Sequence, residues 1–278
     1  MTRRGLVRHI SGRLAPLYGE REAAGIAMIL AEHLCGFSRR EMIVEPEKEV
    51  TLPEGFEETM RQMENFRPVQ YVVGRTEFYC REFRVGEGVL IPRPETEELV
   101  DWVISAVRGT PCRILDIGTG SGCIAVCLAA ELPESSVSAL DISPFALDYA
   151  RENARLNGVS VDFVQGDILD EVLDVGAFDV IVSNPPYVPA SDAKGMCRNV
   201  LDYEPHSALF VPDDDLLLFY RAAARFARRS LSTGGSLFFE VYENAAVQTA
   251  SMLKNEGFAD VEVRSDLNGK PRMIRCRK

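Results

Sequence analysis

The sequence predicts an α/β protein in which a small helical bundle and a β-hairpin precede a larger domain built on a parallel sheet. From residue 113 onward, short apolar runs alternate with helical stretches, the pattern of parallel strands joined by helices. Residues 1–68 show only helical periodicity. Two short alternating segments lie between these parts. We therefore expect a helical domain at residues 1–68, a β-hairpin linker at 69–94 and the sheet domain at 95–278.

Apolar residues at helical spacing define the first domain. One helix is expected near the amino terminus and a second over residues 20–34. Ser38 and Glu41 have the spacing of a capping box, which predicts a short third helix. A fourth is expected over residues 54–66. These four helices would together make a small bundle.

The next stretch is predicted to be a linker followed by a β-hairpin. Residues 67–74 are interpreted as a linker because Pro68 and Gly74 interrupt regular structure. The segments 76–79 and 82–85 alternate polar and apolar residues, which favours a hairpin.

The sheet domain is expected to contain five strands and a terminal hairpin. The strands are predicted at residues 113–117, 137–141, 162–165, 178–182 and 236–241. The helices between and before them are predicted at 95–107, 123–131, 144–156, 216–231 and 243–255, the third with Ser143 as its cap and Asn157-Gly158 at its end. The hairpin is predicted at 261–264 and 273–276, and a polar insertion occupies 188–214.

Composition excludes some classes of function. The net charge of -11 argues against a non-specific grip on a phosphate backbone. No apolar run has the length of a membrane span, and the amino terminus lacks an apolar signal core, so we expect a cytoplasmic protein that does not contact membranes. The seven cysteines are scattered without a Cys-x-x-Cys pair, which favours reduced thiols and no metal site. A monomer is expected.

The fourth strand ends at Asn184-Pro185-Pro186-Tyr187, which points to a site for an –NH2 group. Two prolines cannot continue a sheet ladder, so they fix the backbone where ligands bind in open α/β sheets. The Asn184 side-chain oxygen and the Pro185 carbonyl are two acceptors, and the Tyr187 ring can lie against a flat group. Acceptors on both hydrogens would help the nitrogen lone pair to localise during attack on an electrophile. The alternative interpretation is a proline-terminated core strand.

A glycine-rich turn after the first strand predicts a nucleoside site. Gly118-Thr119-Gly120-Ser121-Gly122 lacks the glycine spacing that fits a dinucleotide pyrophosphate. Asp141 ends the second strand, where a carboxylate can accept both ribose hydroxyls, and Asp167 follows the third strand near the expected adenine. S-adenosylmethionine fits because it carries no phosphate. NAD and a tight turn without a ligand remain alternatives.

Together these two sites favour methyl transfer from a sulfonium to a weakly nucleophilic nitrogen, with S-adenosylhomocysteine as the product. Alignment and electrostatic stabilisation would supply most of the catalysis. No strong general base is evident, and none is needed, because the proton can leave to water after transfer.

The sequence resembles the HemK-type protein-(glutamine-N5) methyltransferases, the PrmC family, over nearly its whole length. The residues that carry the resemblance are the segments 68–74, 77–78 and 90–97, the glycine turn with the strand before it, Asn184-Pro185-Pro186-Tyr187, and the segments 203–209 and 266–272. One departure is Val241-Tyr242, where the family usually has an Ile-Gly-like pair after Glu240.

The resemblance implies a Rossmann-like class I methyltransferase domain with a mixed seven-stranded sheet at 95–278. It implies that the substrate is the glutamine of a Gly-Gly-Gln loop in peptide chain release factors. By this resemblance Gly118 to Gly122, Asp141, Ile168 and Asn184 line the cofactor site, and Asn184, Pro185, Pro186 and Tyr187 hold the glutamine amide. Arg93 and Glu95 would lie in a segment that flanks the substrate.

Two other functions compete with this one. The first is an adenine-N6 methyltransferase acting on DNA or RNA, because adenine also presents an –NH2 group. Such an enzyme must extrude a base and hold phosphates, and the net charge of -11 argues against this. The second alternative is a methyltransferase-like scaffold that binds a ligand without catalysis. The intact glycine turn, Asp141 and Asn184 argue against it.

Overall fold

The computed structural model describes all 278 residues, which form two compact units. One unit comprises residues 1–74 together with 197–203, and the other comprises 75–196 together with 204–278. The chain therefore leaves the larger unit and returns to it within the predicted insertion.

The smaller unit is helical. Its helices are α1 (Arg3–Tyr18), α2 (Glu20–Cys35), α3 (Arg39–Val44), α4 (Phe56–Glu64) and α5 (Val69–Val73) from the amino-terminal part, and α9 (Arg198–Leu201) from the insertion. The predicted capping box is present, because the Ser38 hydroxyl accepts from the Glu41 amide and the Glu41 carboxylate accepts from the Ser38 amide. The core of this unit joins Leu6, Ile10 and Leu14 to the apolar faces of α2 and α4.

The prediction of a linker at residues 67–74 is wrong for its central part. Val69–Val73 forms a short helix whose Val69 and Tyr71 side chains are buried, and Gly74 ends it with a positive φ of 73°. Burial of this apolar face outweighs the weak helix preference of the β-branched valines.

The larger unit begins with the predicted hairpin and contains the remaining elements. The helices are α6 (Pro94–Val107), α7 (Cys123–Glu131), α8 (Pro144–Leu156), α10 (His206–Leu209), α11 (Leu218–Ser230) and α12 (Ala246–Asn255). The strands are β1 (Arg75–Phe78), β2 (Arg81–Arg84), β3 (Arg113–Ile117), β4 (Ser136–Asp141), β5 (Asp162–Gln165), β6 (Phe178–Ser183), β7 (Val188–Pro189), β8 (Phe210–Val211), β9 (Leu231–Glu240), β10 (Ala259–Ser265) and β11 (Pro271–Arg277).

A seven-stranded mixed sheet organises this unit. Its order is β10-β11-β9-β6-β3-β4-β5, with parallel pairing from β9 to β5 and antiparallel pairing of β11 with β9 and with β10. The strands from β9 to β3 are buried along most of their length, so helices cover both faces. The predicted parallel sheet with a terminal hairpin is confirmed.

Two details of the larger unit differ from the expectation. The last parallel strand starts at Leu231, before the predicted start at residue 236, and its pairing with β6 shifts register between Leu231 and Ser236, where Gly234 has a positive φ of 78°. The helix expected from residue 243 begins with a 3-10 turn over Glu243–Ala245 and becomes α-helical at Ala246.

Candidate active site

The predicted site residues lie at one edge of the sheet. Because β9, β6, β3, β4 and β5 are parallel neighbours, their carboxyl ends meet there. Asn184 follows β6, the glycine turn follows β3, Asp141 ends β4 and Asp167 follows β5. The same topology brings Glu240, the last residue of β9, to this edge.

The glycine turn is shaped by backbone conformations that other residues rarely adopt. Gly118, Gly120 and Gly122 have φ values of 72°, 56° and 82°. A Cβ at Gly122 would lie 2.9 Å from the Cβ of Ala150, so this glycine also lets α7 approach α8 closely. The amides of Gly118 and Thr119 both donate to the carbonyl of Leu140, at 2.8 and 3.0 Å.

Asp116 lies beneath this turn and is completely buried. Its Oδ2 accepts from the Thr119 hydroxyl at 2.6 Å, whereas Oδ1 makes no hydrogen bond. The Ala125 amide also favours the charged form. Burial dominates and raises the pKa of Asp116 to about 7. The Ser121 hydroxyl oxygen is also buried without a partner. Two buried polar atoms under the turn thus lack a hydrogen-bond partner.

Asp141 connects the turn to the next helix. Its Oδ2 accepts from the Gly120 amide at 2.8 Å and its Oδ1 from the Ser143 amide at 2.9 Å. Burial raises the pKa of Asp141 above its ordinary value, although these amides favour the charged form. Each carboxylate oxygen retains a lone pair for a further donor, such as a ribose hydroxyl.

The residues after β5 form a short turn. The Asp167 carboxylate accepts from the Leu169 amide at 2.8 Å, which is a local loop contact. Ile168 is half-buried and packs against the apolar cluster of the larger unit. Both residues lie at the predicted edge, with Ile168 offering an apolar surface.

A chain of hydrogen bonds joins the two ends of Asn184-Pro185-Pro186-Tyr187. The Asn184 Nδ2 group donates to the Thr96 hydroxyl at 3.2 Å, and that hydroxyl donates to Glu240 Oε2 at 2.6 Å. The Tyr187 hydroxyl donates to Glu240 Oε1 at 3.0 Å. Burial raises the pKa of Glu240, opposed by these two hydroxyls and by the charge of Arg272. The Asn184 side-chain oxygen accepts no hydrogen bond within the protein.

The Tyr187 ring has a second neighbour. Tyr242 stacks on it with ring centroids 6.2 Å apart and an interplanar angle of 13°. The Tyr242 hydroxyl donates to Asp192 in the insertion at 2.9 Å. Burial raises the pKa of Tyr187 beyond its ordinary value, so this phenol stays protonated and remains a donor.

Arg93 and Glu95 lie where the chain enters α6. Arg93 donates to Glu204 at 2.6 Å, and Glu204, which is buried, also accepts from the Ile91 amide at 3.1 Å. These bonds fix the extended segment before the helix. Glu95 lies in the first turn of α6, and its charge opposes ionisation of Glu240.

Sequence reasoning assigned no role to Asp116, Thr96 or Glu240. Asp116 belongs to the Asp-x-Gly pattern, and its position before the turn was the available signal. Thr96 and Glu240 lie 144 positions apart, so no local pattern relates them. No cluster of His, Cys, Asp or Glu has the arrangement of a metal site. No helix is long and apolar enough to cross a membrane.

Solved structures with the same architecture confirm the fold class. A methyltransferase from Pyrococcus furiosus aligns with a TM-score of 0.54 and 20% identity, covering 72% of this chain and 90% of that one. The catalytic domain of human Mettl16, solved with an RNA hairpin, aligns with a TM-score of 0.57 and 20% identity, covering 77% and 82%. At this identity the likeness concerns the Rossmann-like class I methyltransferase fold alone.

Sequence comparison identifies closer relatives. Residues 6–74 match the PrmC N-terminal domain family and residues 99–202 the methyltransferase small domain family. The release factor glutamine methyltransferase of Flavobacterium psychrophilum is 41% identical over 270 residues, covering 94% of both chains. The enzyme of the same name from Bacteroides thetaiotaomicron is 38% identical over 273 residues, covering 96% of both. This chain therefore belongs to the release factor glutamine methyltransferase family.

Proposed function

We propose that this protein methylates the side-chain amide nitrogen of the glutamine in the Gly-Gly-Gln loop of peptide chain release factors, using S-adenosylmethionine. Relatives named for this reaction match nearly the whole chain, which supports this substrate over other –NH2 groups. The observation that carries the chemistry is the Asn184 amide, whose Nδ2 group is engaged by Thr96 while its oxygen has no partner in the protein.

The residues under the glycine turn suit S-adenosylmethionine. The unpartnered Oδ1 of Asp116 is a buried acceptor that an ammonium group would satisfy, and burial disfavours its charge until a cation arrives. Asp141 would accept the ribose hydroxyls, and the half-buried Ile168 and the Asp167 carboxylate would border the adenine. When bound, the cofactor supplies a methyl group on a sulfonium and leaves as S-adenosylhomocysteine.

The substrate amide would be held by acceptors and a ring. One N–H would donate to the Asn184 side-chain oxygen and the other to the Pro185 carbonyl. The Tyr187 ring, held by Glu240 and Tyr242, would pack against the flat carboxamide. Acceptors on both hydrogens stabilise the nitrogen as its lone pair localises, so their contribution is largest in the transition state. The amide proton is released to water.

The proposal has further parts that concern the whole chain. The protein would act as a monomer, in the cytoplasm, on a protein partner without contacting nucleic acid. Arg93 and Glu95 would flank the substrate, with Arg93 fixed by Glu204. The domain boundaries at 1–68, 69–94 and 95–278 would separate the helical domain, the linker and the methyltransferase domain, with the Val69–Val73 helix packed in the core of the helical unit.

The test offers the protein both kinds of substrate. Unmethylated release factor, the same factor with its loop glutamine replaced by glutamate, and an adenine-containing oligonucleotide are each incubated with methyl-labelled S-adenosylmethionine. We expect label only in the unaltered release factor, and mass spectrometry should place one methyl group on the loop glutamine. Label in the oligonucleotide and none in the release factor would favour adenine methylation instead.

A further inference from the structure

Glu240 is a buried carboxylate to which the proposed transfer assigns no step. It is 1% exposed and lies at the end of β9, beside the strand that carries Asn184. Both of its oxygens accept hydrogen bonds, Oε2 from Thr96 at 2.6 Å and Oε1 from Tyr187 at 3.0 Å. Its single carboxylate thus joins two side chains that border the glutamine site.

The single hydrogen of the Thr96 hydroxyl determines which end of the Asn184 side-chain amide points towards Thr96. A hydroxyl has one hydrogen, and at Thr96 that hydrogen goes to Glu240. Towards Asn184 the Thr96 oxygen can therefore only accept, so Asn184 must turn its –NH2 group to Thr96. The carbonyl oxygen of Asn184 then faces the other way, which is the orientation that an incoming –NH2 group requires.

We propose that Glu240 is a positioning residue that fixes, through Thr96, the polarity of the Asn184 amide, and that holds the Tyr187 ring through its hydroxyl. The inference rests on the proposed function, because it concerns the same glutamine site. Glu240 itself does not touch the substrate.

A carboxylate is suited to this role because it accepts on both sides. Glutamine would offer one acceptor and one donor, so either Thr96 or Tyr187 would meet a donor and turn its own hydrogen elsewhere. The nearby Arg272 pairs with Asp266 at 3.2 Å and lies 3.7 Å from Glu243, so its direct ion pairs are with other carboxylates. The direct partners of Glu240 are the two hydroxyls.

The test compares variants that remove or keep the Thr96 hydroxyl. In Thr96→Val the Asn184 amide loses its fixed orientation, and we expect kcat to fall about three- to tenfold, the scale of one neutral hydrogen bond. Thr96→Ser keeps the hydroxyl and should stay within about twofold of the parent kcat. Glu240→Gln should lower kcat by at least as much as Thr96→Val, with the Kd for S-adenosylmethionine unchanged in all three. Thr249→Val is the matched control, because Thr249 is also buried but donates to the carbonyl of Ala245, the residue before α12.

A double-mutant cycle separates positioning from a general loss of structure. If Thr96 acts only through Asn184, Thr96→Val should have no further effect in an Asn184→Ala background. Equal losses in both backgrounds, or a Thr96→Ser variant as slow as Thr96→Val, would overturn the inference. So would a Glu240→Gln variant with the parent kcat.

A second readout does not depend on activity. The side-chain –NH2 signal of Asn184, assigned by its disappearance in Asn184→Ala, should exchange with water faster in Thr96→Val and Glu240→Gln than in Thr249→Val. Unchanged exchange in both variants would overturn the network. If exchange accelerates but the parent protein does not methylate release factor, the network stands and the proposed function fails, so the two failures are distinguishable.

Discussion

The buried Asp116 predicts that the larger unit loses stability as the pH rises from 3.8 to about 7. Its pKa is raised from the ordinary 3.8 to about 7, because the carboxyl is completely buried and Oδ1 has no partner. Between these two values the folded state holds a proton that the unfolded state releases. Its contribution is therefore fully present below pH 3.8, is lost progressively as the pH rises to about 7, and does not change further above that.

The size of the effect follows from linkage. With a folded pKa of about 7 and an unfolded pKa of 3.8, the free energy of unfolding should fall by about 2–3 kcal/mol between pH ~5 and ~8 through this group alone. Asp141 and Glu240 also have raised pKa values, so the protein carries further dependence of the same sign. The difference between the parent and Asp116→Asn isolates the share of Asp116.

Fluorescence offers a direct assay. Trp102 is the single tryptophan, and it lies buried in α6 of the larger unit, so its emission follows the unfolding of that unit. Urea unfolding of the parent and of Asp116→Asn is measured from pH ~5 to ~8, the range in which the linkage acts. Over this range we expect the free energy of unfolding to fall by about 2–3 kcal/mol more for the parent than for Asp116→Asn. Parallel curves would refute the reasoning, because Asp116 would then be ionised throughout.

Three substitutions test the site. Asn184→Ala should lower turnover by about 10²-fold or more, the scale of one oriented transition-state contact, with cofactor affinity largely kept in calorimetry; near-parent turnover would contradict the clamp. Asp141→Ala should weaken binding of S-adenosylhomocysteine, because it removes the acceptor expected at the ribose and releases the Gly120 amide; an unchanged Kd would count against the ribose assignment. Gly122→Ala should lower the free energy of unfolding by about 1–3 kcal/mol, because residue 122 has a φ of 82° and the new Cβ would lie 2.9 Å from the Cβ of Ala150. An equally stable variant would show that α8 can shift without loss of stability.

Local sequence signals predicted most of the elements. The helix over Pro144–Leu156 has Ser143 as its cap and Pro144 in its first turn, as expected, because capping depends on residues that lie next to each other. The linker predicted at residues 67–74 failed for the opposite reason. The Val69–Val73 helix is stabilised by burial against helices that are distant in the sequence, and a five-residue pattern contains no information about that packing.

The part of the candidate site that follows a single strand, β6, could be predicted from the sequence. The segment Asn184-Pro185-Pro186-Tyr187 can be recognised from the sequence because prolines and a polar side chain interrupt an apolar run. The hydrogen bonds that orient Asn184 could not be predicted, because Thr96 starts a helix and Glu240 ends a strand far along the chain. Only the strand order, which places β9 beside β6, brings Glu240 near Asn184.

Two of the buried carboxylates at this edge, Glu240 and Asp116, have different environments before any ligand binds. Burial raises the pKa of Glu240, but two hydroxyls that donate to it and the charge of Arg272 already favour its ionised form. Asp116 has one hydroxyl donor and a second oxygen without a partner, so its ionised form is costly until a donor reaches it. The side that would hold glutamine is therefore organised in advance. The side under the glycine turn would gain stability when a cationic ligand ionises Asp116, and binding there should release a proton at a pH below about 7.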